Sequence, residues 1–196
     1  MERRPRPRPR LRRRLRLGRR PALVAAAIVA LAVAQGVGVP AHAADWSDQK
    51  TSASKRLLDV AFANANSGVA VGQDGLIMAT RDGGLTWAER SSPADVADLR
   101  TVSAVPNCGA GPCYWAGAAN GSILVSTDGT GTNWCLQSTG VSEKINGIHV
   151  SAANPNDAVA VGTEGVILRA SSARECGAAY SRIPSDTTRI LNDATL

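Results

Sequence analysis

The chain has 196 residues and a formal charge of +6, yet 11 of its 22 basic residues and one acid lie within residues 1–20. Residues 44–196 therefore carry 11 basic against 15 acidic side chains, a balance of −4 with the cations scattered singly. This excludes reading the high pI as a nucleic-acid footprint, and it leaves enough chain, roughly 150 residues, for one domain with a core of its own.

Residues 1–43 read as a signal peptide. The arginine-rich stretch 1–20 is a basic n-region, 21–39 is an apolar h-region, and Ala41 and Ala43 supply small residues at the minus three and minus one positions, so cleavage is expected before Ala44. An uncleaved anchor is the rival, because Ala22 to Val39 is just long enough to span a bilayer, although Gln35, Gly36 and Gly38 weaken such a span. Arg19-Arg20 leaves a twin-arginine route open beside the general one. The expected location is secreted or extracytoplasmic, with membrane engaged only through the leader. Residues 44–56 read as a linker.

The next stretch alternates short apolar runs with turn signals. Leu57 to Phe62, Val69 to Gly72 and Leu76 to Ala79 read as strands, the last two joined by Gln73-Asp74-Gly75, which is hairpin chemistry. Thr80-Arg-Asp82-Gly-Gly84-Leu-Thr-Trp87 then reads as a turn. Asp82 is expected to fold its carboxylate onto the backbone N–H groups that follow it, Gly83 and Gly84 to take the positive φ, and a buried Trp87 to pin the turn to the sheet. On this reading Trp87→Ala should cost more stability than Asp59→Ala.

The pattern Ser/Thr-x-Asp-x-Gly-x-Thr-Trp resembles the Asp-box, or bacterial neuraminidase repeat. The longer frame, Leu57-x-Asp59-Val60-x-Phe62 through Gly68-x-Ala70-Val71-Gly72 to the Thr80–Trp87 box, is similar to the repeat of photosystem II assembly and stability factors. The resemblance implies an all-β partial β-propeller of four-stranded antiparallel blades. For the photosystem family it also implies an assembly role, though nothing in these residues points to photosynthesis.

Repetition carries the frame onward. Leu57, Leu99, Ile145 and Leu191 open successive units, and Gly72, Gly117 and Gly162 recur every 45 residues, a spacing that suits one blade. The expected divisions are blade 1 at 57–98, blade 2 at 99–144, blade 3 at 145–188 and the start of a fourth at 189–196. Blade 2 keeps its box as Ser126, Asp128 and Trp134 with one extra residue, expected to be absorbed as a bulge. Blade 3 loses the box, and Tyr180 stands where the indole would be. Three blades do not close a ring, so the sequence is expected to be a fragment that forms an open arc, with residues 189–196 loosely held or added as a strand to a neighbour.

Four cysteines suit an oxidising compartment. Of the three possible connectivities, Cys108 with Cys113 across Gly-Ala-Gly-Pro, and Cys135 with Cys176 at similar places in successive units, is the one favoured. No catalytic, cofactor or metal residue is assigned. The acids Asp59, Asp74, Asp98, Glu143, Asp157 and Glu164 all fall at turns or strand starts. His149 is the lone histidine after the leader, and Asp128 to Asn133 lacks the carboxylate density of a calcium loop. Ser181-Arg-Ile-Pro184 resembles a sialidase motif but follows the boxes instead of preceding them. The function expected is an exported non-catalytic module that binds a protein or an envelope glycan through its blade-end loops. The alternative is a fragment of a secreted glycoside hydrolase of sialidase or xyloglucanase type.

Overall fold

A computed structural model describes residues 48–93 and 95–196, so the expected signal peptide and the expected cleavage before Ala44 lie outside the described residues. The described chain forms three four-stranded antiparallel sheets, each a simple meander. The first holds β1 (Leu57–Phe62), β2 (Gly68–Gly72), β3 (Ile77–Thr80) and β4 (Ala88–Arg90). The second holds β5 (Leu99–Val105), β6 (Cys113–Ala118), β7 (Ile123–Ser126) and β8 (Cys135–Gln137). The third holds β9 (Ile145–Val150), β10 (Ala158–Gly162), β11 (Ile167–Ala170) and β12 (Ser181–Arg182). These are blades of a partial β-propeller.

The sheets stack face to face, and this explains the unalternated apolar runs. A strand covered on both faces has no solvent side, so β2 and β6 are buried along their whole length. Between blades 1 and 2 the core joins Val69, Val71 and Ile77 to Val102, Ala116 and Leu124. Between blades 2 and 3 it joins Trp115, Ile123 and Val125 to Ile148, Ala160 and Leu168. Each blade thus has a leading face turned to the next blade and a trailing face turned to the previous one.

The first strand of every blade carries a register shift, between Leu57 and Asp59, between Leu99 and Thr101, and opposite Val161 and Gly162. Past that shift Leu57 pairs with Gly72 and Ile145 with Gly162, but Leu99 pairs with Ala118. The even spacing of Gly72, Gly117 and Gly162 is therefore out of step with the fold, because the three glycines do two different things. At Gly72 and Gly162 a Cβ would lie 2.0 Å from Arg56 O and 1.9 Å from Lys144 O, the residues directly before the first strand that each glycine pairs with. At Gly117 it would strike the Ile145 side chain of the next blade, 2.5 Å away.

Disulfides join Cys108 to Cys113 and Cys135 to Cys176, with Cα atoms 6.0 and 5.6 Å apart, the second tying blade 2 to the loop before β12. Arg174 reaches from that loop to donate to the Cys108 carbonyl. Tyr180, directly before β12, is buried and donates to Gln137 Oε1 at 3.1 Å, and Gln137 Nε2 and Trp115 Nε1 both donate to Ala173 O, at 2.6 and 2.7 Å. This buried network closes the edge of blade 3 where no aspartate turn exists. Residues 189–196 add no strand; Leu191 N–H donates to Gly162 O and Asn146 Nδ2 to Leu191 O, which lays them beside β9.

Candidate binding surface at the turn end of the blades

Each blade has two kinds of end. In blades 1 and 2 the aspartate turns cap one, between the third and fourth strands. Thr80 Oγ1 donates to Asp82 Oδ1 at 2.8 Å, Thr86 N–H donates to the same oxygen at 2.9 Å, and the Thr86 hydroxyl donates to Oδ2 at 2.5 Å. These bonds favour the charged form and hold the Asp82 carboxyl at about 2, well below its usual 3.8. The following backbone N–H that the Asp82 carboxylate takes up is that of Thr86, four residues on, while Gly84 N–H donates to Thr80 Oγ1 at 2.9 Å.

In blade 2 the extra residue moves the partner one place along. Asp128 accepts from Thr130 N–H and Asn133 N–H, both at 2.8 Å, and from Ser126 Oγ at 3.2 Å. Burial pushes its carboxyl up, but the Thr130 and Asn133 amides and the hydroxyls outweigh it and bring it to about 2. The loop also gives Trp134 Nε1 an acceptor, Gly131 O at 3.0 Å, which Trp87 lacks. Trp87 is half-buried instead of buried, held edge-on to Phe62 with ring centroids 6.0 Å apart and lying against Gly84, whose φ is +93°.

The other end carries the tight turns Gln73–Gly75 and Thr163–Gly165, in which Asp74 and Glu164 take φ of 49° and 55°, and the wider turn at Ala119 to Gly121. The segments entering the next blade run past these turns. Between blades 2 and 3 they leave a polar hollow of about 330 Å³ lined by Ala119, Ser142, Glu143, Lys144, Thr163 and Glu164. Glu143 is fixed there by its own and Ser142's backbone N–H and by Arg182 at 3.0 Å, which together hold its carboxyl below the usual range. Lys144 and Glu164 are exposed, and among the described residues their side chains make no hydrogen bond or ion pair.

Of the six acids weighed for catalysis, Glu143 and Glu164 line the same hollow, and most of the six are engaged. Asp59 accepts from Val60 N–H and, in the next blade, from Val102 N–H, both at 2.8 Å. Asp98 Oδ1 accepts from Asp74 N–H at 3.0 Å, and Asp74 faces Lys55 at 3.6 Å. Asp157 pairs with Arg169 through two bonds of 3.0 and 2.9 Å. Among the described residues no three His, Cys, Asp or Glu side chains converge on a possible metal. Sequence reasoning missed Gln137 and the inter-blade bond of Asp59. The first has no motif, and the second joins residues 43 apart.

A family model described as photosynthesis system II assembly factor YCF48 matches residues 39–110. The photosystem II assembly lipoprotein Ycf48 of Synechococcus sp. strain RCC307 is 47% identical over 57 residues, which is 28% of this chain and 17% of that protein. Among solved structures, YCF48 bound to D1 peptide aligns at 23% identity with a TM-score of 0.57 over 72% of this chain and 43% of its own. YCF48 from Cyanidioschyzon merolae aligns at 26% identity with a TM-score of 0.54, over 72% and 41%. The chain thus spans less than half the length of each of these relatives.

Proposed function

We propose that this chain, a BNR-type propeller related to the photosystem II assembly factors, is an exported, non-catalytic module that binds an extended segment of a protein partner at the turn end of its blades. The observation that carries the reading is the contrast between the two ends. At one end the aspartates are consumed by their own turns, whereas at the other Lys144 and Glu164 stand free beside a polar hollow. Free charges of both signs beside a cleft between rigid sheets suit a peptide backbone and its charged side chains. The binding of a D1 peptide by one relative supports a peptide as the ligand class. An envelope glycan is not carried forward, because no aromatic ring lines the hollow to stack on a sugar. The lipoprotein relative supports an extracytoplasmic setting, and the leader supplies the route.

Calorimetric titration of the exported protein with a D1 peptide tests this. Saturable binding that Lys144→Glu and Glu164→Lys each weaken at least several-fold is expected, with the melting temperature unchanged. Binding indifferent to both changes, or steady hydrolysis of a sialoside or xyloglucan substrate, would refute it.

A further inference from the structure

The segment before β12 runs along the outer edge of β8 as a further strand of blade 2 would. Gly177 N–H donates to Leu136 O at 3.1 Å, Ser138 N–H to Ala178 O at 2.9 Å and Tyr180 N–H to Ser138 O at 2.9 Å, a short parallel ladder with its bridge at Ser138 and Ala179. Cys135 and Cys176 stand one residue before the first rung on each side, so the backbone pairing helps to hold their Cα atoms 5.6 Å apart. Side chains hold the same segment independently of sulfur: Gln137 Nε2 donates to Glu175 O at 3.0 Å as well as to Ala173 O, and Tyr180 donates to Gln137.

The two disulfides differ in access. Cys108 and Cys113 are 4% and 0% exposed, belong to the core between blades 2 and 3, and have Arg174 laid over the Cys108 carbonyl. Cys176 is exposed and Cys135 half-buried, and both line a hollow of about 190 Å³ together with Val125, Asp128 and Trp134. A thiolate opens a disulfide only where it can reach one of the two sulfurs, so access decides which bond exchanges.

We propose that Cys135–Cys176 is a site of reversible thiol–disulfide exchange with a dithiol protein, and that it latches the 171–180 segment of blade 3 to blade 2. One thiolate of the dithiol attacks Cys176 Sγ, the more exposed sulfur; the bond to Cys135 breaks, and Cys135 leaves as a thiolate that takes up a proton. The second thiolate of the dithiol then attacks its partner's sulfur in the mixed disulfide and releases Cys176. The protein gains two electrons and, through solvent, two protons, and the dithiol becomes a disulfide. The parallel ladder and the Tyr180–Gln137–Ala173 bonds remain, so the reduced blades stay folded and the two sulfurs stay within reach for the reverse reaction. Only the covalent tie of residues 171–177 is released. Asp128 accepts from Thr130 and Asn133 N–H on the wall of the same hollow, and its negative charge opposes an anionic reductant, so an uncharged dithiol is the suitable small probe.

Reduction of the protein by dithiothreitol without denaturant, followed by alkylation and peptide mapping, reads the proposal. Label is expected at Cys135 and Cys176 while Cys108 and Cys113 stay paired, with the circular dichroism of the strands unchanged. Amide exchange of the reduced protein should quicken at residues 171–177 and stay the same at 108–113. A dithiol oxidoreductase whose second cysteine is replaced by serine should be trapped as a mixed disulfide on Cys176. Opening of Cys108–Cys113 first, no opening of either bond without denaturant, trapping on Cys135, unchanged exchange at 171–177, or loss of the strand signal on reduction would each overturn the proposal.

Discussion

Replacing Asp59 by alanine tests how the blades are locked together. Its carboxylate accepts two backbone N–H bonds of 2.8 Å, one from Val60 and one from Val102 across the blade interface. Val60 is exposed, so water takes over that bond at little cost. Val102 is 7% exposed and sits in the core between the blades, so its N–H is left unsatisfied. A buried donor without a partner costs about 1 to 3 kcal/mol, which in a domain of this size lowers the melting temperature by roughly 2 to 12 °C. Asp59→Asn keeps one acceptor oxygen and should lose less. Urea unfolding of the protein measures both. An Asp59→Ala variant within about 0.5 kcal/mol of the parent, the range of ordinary surface changes, would refute the inter-blade lock.

Trp87→Ala should cost about 1.5 to 3 kcal/mol by urea unfolding, less than a fully buried tryptophan would, because the ring is only half-buried and its Nε1 has no acceptor; the gap from Asp59→Ala expected on sequence grounds thereby narrows. Asp82 and Asp128 have folded values near 2 against 3.8, so their contribution is complete above about pH 4 and is lost as the pH falls toward 2; Asp82→Asn with Asp128→Asn should flatten stability across that window in an acid titration. Removing Cys135–Cys176, which closes 41 residues, should cost about 3 to 4 kcal/mol in the chain-entropy model, more than removing Cys108–Cys113, and paired Cys→Ser variants compared by unfolding decide the order.

The blades were legible because each unit repeats the same local chemistry. Gln73-Asp74-Gly75 and Thr163-Glu164-Gly165 specify the same tight turn, and the apolar runs beside them announce strands covered on both faces. What misled was periodicity taken too literally. Gly117 falls on the 45-residue spacing, yet it makes room for Ile145 of the next blade, while Ala118 fills the place of Gly72. Contacts between units were illegible for a physical reason: the bonds from Val102 to Asp59 and from Tyr180 to Gln137 both span 43 residues, and neither leaves a local pattern. The proposed binding surface was legible only as blade-end loops. Which end holds free charge depends on which carboxylates the fold itself consumes.

Amide hydrogen exchange of the protein, with and without saturating amounts of the peptide used in the titration above, tests the central claim most directly. The account predicts new protection at residues 119–121, 142–144 and 163–165, around the polar hollow, and none at the aspartate turns 80–87 and 126–134. Protection confined to the aspartate turns, or no change anywhere at saturation, would contradict it.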